Sequence, residues 1–226
     1  MSLPLVYHDD YSPPLPPGHR FPMEKFRLLR DHLVTLGMTT DAALLRPSLC
    51  SRDILTLAHD ADYVARYCSG EMGRDELRRL GLPWSPELAQ RTVRAVGGSL
   101  HCEKNFPTRK AHSDWDIPLP PGMGDEAYLQ VVHDTLNYLL PIYQPDLVLY
   151  DAGVDVHRDD ALGLLSLTDA GLAARDSAVL DHCLGRDIPV VGLIGGGYDK
   201  DRALLARRHA TLHVSAHSAW QRHGLG

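Results

Sequence analysis

Residues 146–160 read DLVLYDAGVDVHRDD. The apolar run from Leu147 to Tyr150 stops at four aspartates, Asp151, Asp155, Asp159 and Asp160, with His157 among them. A short, continuous apolar run bounded by turn-forming residues fits a strand buried on both faces. The pattern returns at 188–199, IPVVGLIGGGYD, where a second run leads into Gly195, Gly196 and Gly197 and then Tyr198. Between the two, Thr168 and Asp169 open a segment with Leu172, Val179 and Leu180 at helical spacing. A strand, a helix and a strand in that order make a right-handed crossover unit, so the strands at 146–151 and 188–194 are expected side by side and parallel. Asp155 and Tyr198 then emerge at the same end, facing one pocket. In open parallel sheets, ligands bind beyond the carboxyl ends of the strands, which is where 151–160 and 195–199 fall. On an extended chain Asp155 and His157, two residues apart, would also share a face.

The rest of the chain continues the alternation. LPLVY (Leu3–Tyr7) reads as a short buried strand, and the prolines of HDDYSPPLPPGHRFP forbid regular pairing after it. From Met23, Phe26, Leu29, Leu33 and Leu36 share a helical face and Gly37 fits as the stop. Ser51 and Asp60 are candidate caps for two short helices carrying Ile54, Leu57, Tyr63 and Val64. Ser85 caps a helix with Pro86 in its first turn. DEAYLQVVHDTLNYLLPIY reads as a further helix, and a last one takes up Leu204, Leu205 and His209. Strands alternating with helices argue for an α/β fold with a parallel sheet covered on both faces.

With 226 residues the chain has room for one large α/β domain or two small ones. A formal charge of −6 gives no overall basic footprint for nucleic acid. No apolar run approaches the length of a membrane span. The four cysteines, Cys50, Cys68, Cys102 and Cys183, are dispersed, and no signal-like segment follows Met1. They read as reduced thiols of a cytoplasmic protein. Taken singly, the loaded residues have ordinary explanations: an aspartate at a strand end is commonly a cap or a loop residue, and a glycine run allows a tight turn or cradles an anion.

Together, however, HDDYSPPLPPGHRFPMEKF, LGLPWSPELAQRTVRAVGGSL, HCEKNFPTRKAHSDWDIPLPPGMGDEAYL, YDAGVDVHRDDALG and IGGGYD resemble, in order, segments of the bacterial histone deacetylase family. That family includes acetoin-utilisation proteins and acetylpolyamine amidohydrolases, and it has an arginase-like parallel α/β fold. The resemblance implies zinc-dependent hydrolysis of an acetyl amide on acetyl-lysine or a small acetylated amine. Three ligands, Asp, His and Asp, hold such a metal. An adjacent histidine pair moves protons, and a tyrosine after a glycine run donates to the oxyanion. By motif, Asp155 matches the last zinc ligand and Tyr198 the oxyanion donor. Gly195, Gly196 and Gly197 match the wall of the substrate tunnel, and His19 and Arg20 a loop at the pocket rim or inner channel.

The chain also departs from that family. It contains no His-His dipeptide and no D-x-D-x-H, and it passes from RAVGGSL straight to HCEKNFP across Leu100 and His101. In the family those segments lie several tens of residues apart, with the missing motifs between them. DVH at 155–157 imitates the tail of D-x-D-x-H, but Gly153 stands where the first aspartate belongs, and His157 is not normally a ligand there. The expectation is a single domain, 1–226, truncated at the 100/101 seam and lacking central strands of its sheet. It would hold less than one zinc and be catalytically impaired. The alternative is a non-catalytic binding protein that reuses the remaining pocket. The strand at Leu3–Tyr7 must find a new neighbour or leave an apolar edge, so low stability and self-association are expected.

Overall fold

The computed structural model describes residues 3–98 and 117–225, and the Leu100–His101 seam with all of HCEKNFPTRKAHSDWD lies outside them. The chain divides into two compact units, Pro4–Arg109 and, in the main, Lys110–Gly226, each considered by itself.

The first unit is helical: α1 (Lys25–Thr35), α2 (Arg52–Leu55), α3 (Ala61–Ser69), α4 (Arg74–Leu80) and α5 (Pro86–Gly98). Helix α1 buries Leu29 and Leu33, and the chain leaves it through Gly37 at φ +69°. The caps are where the sequence puts them. Ser51 accepts from the Ile54 N–H, Asp60 from Tyr63 and Ser85 from Leu88, each satisfying a first-turn amide that has no partner within its helix. A core of Tyr67, Met72 and Ala89 joins α3 to α5, and Trp84 pins it by donating to the Tyr67 carbonyl at 2.7 Å. Leu57, expected to pack, is 85% exposed because α2 ends at Leu55. Helix α4 was not legible in the sequence.

The strand expected at Leu3–Tyr7 does not form. Val6 makes one isolated parallel bridge with Leu45, through Tyr7 N–H to the Leu45 carbonyl (3.0 Å) and Leu45 N–H to the Leu5 carbonyl (2.8 Å). The segment has found a neighbour, but a single bridge leaves Val6 46% and Leu45 53% exposed.

The second unit runs α6 (Asp125–Tyr143), β1 (Val148–Asp151), α7 (Asp169–Leu184), β2 (Val190–Leu193) and α8 (Arg202–Arg222). Strands β1 and β2 pair in parallel, Val148 with Val190 through Asp151 with Leu193, as the crossover rule requires. Helix α7 packs against both α6 and α8. Its cap Thr168 accepts from the Gly171 N–H, and Asp125, at the start of α6, accepts from both the backbone and the hydroxyl of Thr168. The helix buries Leu172, Val179 and Leu180, and α8 buries Leu205 and His209. Val154, Leu167, Leu172 and Leu205 form the core beside the carboxyl ends of the strands.

Burial of both sheet faces is the expectation that fails. Tyr150 reaches Asp176 on α7, and Gly192 lies against Leu212 on α8, so both helices pack on this face, with Gly192 still exposed. On the other, Leu149 is 37% and Val191 41% exposed, and the strand pair is the whole sheet among the described residues. A continuous apolar run signals burial only when something else in the fold covers its second face. Among the described residues no helix is long and apolar enough to cross a membrane, and Cys50, Cys68 and Cys183 are free thiols.

Candidate functional site

Past the carboxyl ends of β1 and β2, the two loops are laced together by their backbones. Ala152 N–H donates to the Leu193 carbonyl (2.9 Å), Val154 N–H to Gly196 (2.8 Å) and Ala161 N–H to Tyr198 (2.9 Å). Val154 is buried in the core, which turns its neighbour Asp155 toward the glycine run. The carboxylate of Asp155 occupies the space a side chain on Gly196 would need, and that of Asp151 does the same over Gly195. Gly197 has φ +146°, and its α-carbon faces Val154, Leu205 and His209. Glycine is therefore required here on two grounds, close approach and backbone conformation.

Tyr198 follows directly and is half-buried. Burial raises its phenol above the ordinary tyrosine range, and the nearby carboxylates of Asp155 and Asp160 add to the rise. The phenol is thus kept protonated, as a hydrogen-bond donor must be. The structure thus brings Asp155, Gly195, Gly196, Gly197 and Tyr198 together beyond the carboxyl ends of β1 and β2. His19 and Arg20 lie on the other unit, in a turn where the His19 ring nitrogen Nδ1 accepts from the Phe21 N–H at 3.1 Å.

His157 parts company with Asp155. The chain turns between them, and the imidazole is 2% exposed. Its Nδ1 accepts from Asp159 N–H (3.1 Å) and its Nε2 lies 3.4 Å from the Asp169 carboxylate. Burial, and next the charge of Arg208, push its pKa down. His157 belongs to a structural network around the buried Arg208, which pairs with Asp199 (2.6 Å) and with the exposed Asp159 (3.2 Å).

Sequence reasoning passed over two supports of the site. Asp160 accepts N–H groups from Leu162 and Gly163 (2.8 Å each) and from Tyr198 (2.6 Å). Arg175 on α7, 4% exposed, donates to the Gly153 carbonyl and pairs with the buried Asp176. The aspartate-x-x-glycine spacing of Asp160 and Gly163 was a visible turn signal; the buried arginine left none.

A catalytic zinc needs three protein ligands. Among the described residues no three His, Cys, Asp or Glu side chains converge to hold a metal ion. Asp155 stands over a glycine, and His157, the nearest histidine in sequence, is turned to Asp169. The described residues do not fit a zinc centre, and no step is derived through one.

A family model described as histone deacetylase domain matches residues 101–215. An uncharacterized protein of Picosynechococcus is 35% identical over 300 residues, covering 97% of this chain and all of that protein. Histone deacetylase 2 of Arabidopsis thaliana is 34% identical over 90 residues, 40% of this chain and 23% of its own. A probable deacetylase of Archaeoglobus fulgidus is 37% identical over 93 residues, 39% of this chain and 25% of its own. The matched part thus spans about a quarter of those two deacetylases. Among solved structures, an HDAC homologue from Aquifex aeolicus superposes with a TM-score of 0.74 at 15% identity, over 96% of this chain and 84% of that one. An HDAC homologue complexed with SAHA gives the same values. These likenesses carry the fold.

Proposed function

The chain belongs to the histone deacetylase family, and from that premise we propose that its second unit carries one side of a deacetylase active site. In this reading Tyr198 is the oxyanion donor, Asp155 the surviving zinc ligand of the family, and Gly195–Gly197 the wall along which an acetylated chain lies. The substrate class is acetyl-lysine or a small acetylated amine. Nucleic acid and membrane are not partners, and the location is cytoplasmic. The observation that carries the reading is the meeting of Asp155, the glycine run and Tyr198 beyond the carboxyl ends of β1 and β2.

The chain forms one domain interrupted at the Leu100–His101 seam, and on its own it is catalytically impaired. An alignment of 300 residues with a chain of only 226 supports the interruption, as does a family match that begins at residue 101. What the residues present still do is hold the backbone of Tyr198 beside the glycine run, with the Asp155 carboxylate next to it. The lack of three converging ligands among the described residues favours the second reading, a binding protein that retains the acyl pocket without turnover.

Zinc analysis of the purified protein, with turnover of an acetyl-lysine peptide and an acetylated polyamine, decides between the two. The expected result is less than one tightly held zinc per chain and no zinc-dependent deacetylation. Stoichiometric zinc together with inhibition by a hydroxamate would overturn the impairment.

A further inference from the structure

We propose that the carboxylate of Asp160 is a positioning residue that sets where Tyr198 stands. The functional meaning of this rests on the reading of Tyr198 as the oxyanion donor; the geometry does not. Tyr198 follows a glycine at φ +146°, a region most side-chain-bearing residues avoid, so the preceding backbone does little to fix its direction. Both of its backbone groups are instead held from the loop after β1. Its N–H donates to Asp160 Oδ2 at 2.6 Å, and its carbonyl accepts from the next residue of that loop, Ala161, at 2.9 Å. The other oxygen, Oδ1, accepts from Leu162 and Gly163, which folds the loop into a turn around the same carboxylate.

A carboxylate can accept on both oxygens at once while bringing no N–H donor of its own. An asparagine would turn an amide N–H₂ either toward the Tyr198 N–H or toward the two turn amides, donor against donor. The neighbouring Asp159 faces Arg208 instead, so the two adjacent aspartates divide the work. Asp159 belongs to the ion network around Arg208 and Asp160 to the tyrosine loop. Hydrogen bonds to a charged acceptor are the stronger kind, and this one acts on the backbone of the residue whose hydroxyl must meet the substrate.

The test uses the full chain labelled in its tyrosines and backbone amides. The Tyr198 signals are identified among the nine tyrosines by their loss in Tyr198→Phe. In Asp160→Asn, the Tyr198 amide proton should move upfield and its ring signals shift or broaden, while the other tyrosines stay in place. Asp159→Asn serves as the control for general destabilisation and should leave the Tyr198 signals where they are. Unchanged Tyr198 signals in a folded Asp160→Asn protein, or equal changes in both variants, would overturn the proposal. Should Asp160→Asn not fold, amide exchange in the unmodified protein decides. The Tyr198 amide should exchange far more slowly than in an unstructured peptide, and free exchange there sinks the clasp. An acetyl-lysine peptide added to the unmodified protein tests the other layer. If it leaves the Tyr198 ring undisturbed, the oxyanion-donor reading falls, while the Asp160 comparison still stands or fails by itself.

Discussion

Arg175 Nη1 donates to the Gly153 carbonyl oxygen at 2.6 Å. A cation fixed inside α7 thereby holds the backbone of the loop that presents Asp155. Its Nε and Nη2 both reach Asp176 Oδ1, which also accepts from the Tyr150 hydroxyl at 2.5 Å. Burial pushes the Asp176 carboxyl up, with Arg175 and Tyr150 opposing.

Breaking this pair from one side should be costly. Arg175→Met leaves Asp176 buried beside Tyr150 without its cation, and loss of one partner of a buried pair typically costs about 3–5 kcal/mol. The denaturant midpoint should fall accordingly. Arg175→Met combined with Asp176→Leu should recover part of the loss, because no uncompensated charge remains. A double variant worse than the single one would show that the Tyr150 hydroxyl depends on Asp176 more than this account allows.

Acid should loosen the end of α8. Arg222 donates to Asp181 at 2.8 Å, and His223 lies 3.0 Å from the same carboxylate. Burial works to raise the Asp181 pKa, but the hydrogen bonds from Arg222 and His223 outweigh it and hold the group below the usual carboxylate range. A depressed acid contributes stability above its unfolded value of about 3.9 and loses that contribution as pH falls through the folded value. Backbone signals of 219–223 should therefore change below about pH 4, and Asp181→Asn should already show the low-pH state near neutrality.

The uncovered sheet face should make the protein associate. Leu147 is 49%, Leu149 37% and Val191 41% exposed, beside strand edges that no further strand covers among the described residues. Flat apolar edges recruit other chains. Sedimentation should show concentration-dependent association and heating a low, broad transition; Leu149→Lys with Val191→Thr should shift the protein toward monomer. A clean monomer with a sharp, high-temperature transition would refute this.

If the proposed interruption at the Leu100–His101 seam is what impairs the chain, filling it should restore chemistry. A chimaera with the corresponding stretch of the Picosynechococcus relative inserted between Leu100 and His101 should bind one zinc and turn over an acetyl-lysine peptide. In that chimaera Tyr198→Phe should lower kcat about 10²–10³-fold, the usual cost of one oxyanion donor. A soluble, zinc-loaded chimaera in which Tyr198→Phe matches its parent would remove Tyr198 from the mechanism.

What the sequence revealed was mostly local. Caps at Ser51, Asp60, Ser85 and Thr168 depend on residues three positions away and could be read directly. The β1–α7–β2 crossover was readable because one apolar run, one helical stretch and a second run leave few topologies. Asp155 and Tyr198 were found through family motifs at the ends of those strands. Helix α4 was missed because its apolar face is slight; the signal was Glu76, whose carboxylate accepts from the Gly73 N–H three residues earlier. Leu3–Tyr7 was misjudged because a strand exists only with a partner, and pairing is not a local property. Asp155 and His157 would share a face only on an extended chain, and residues 154–156 turn.

The register that matches Val148 with Val190 also sets an order of events during synthesis. The first strand leaves the ribosome a loop, a sixteen-residue helix and a further turn before its partner exists. At about 5–20 residues per second that interval lasts several seconds. Throughout it, the segment from Leu147 to Tyr150 has no neighbour to pair with, and the covering face of α7 is only partly made. Holdase chaperones capture unpaired apolar segments of this kind. Folding yield in the cell should therefore depend on how quickly the stretch from Asp169 to Leu193 is delivered, and slow codons within it should lower the soluble fraction without altering a single residue.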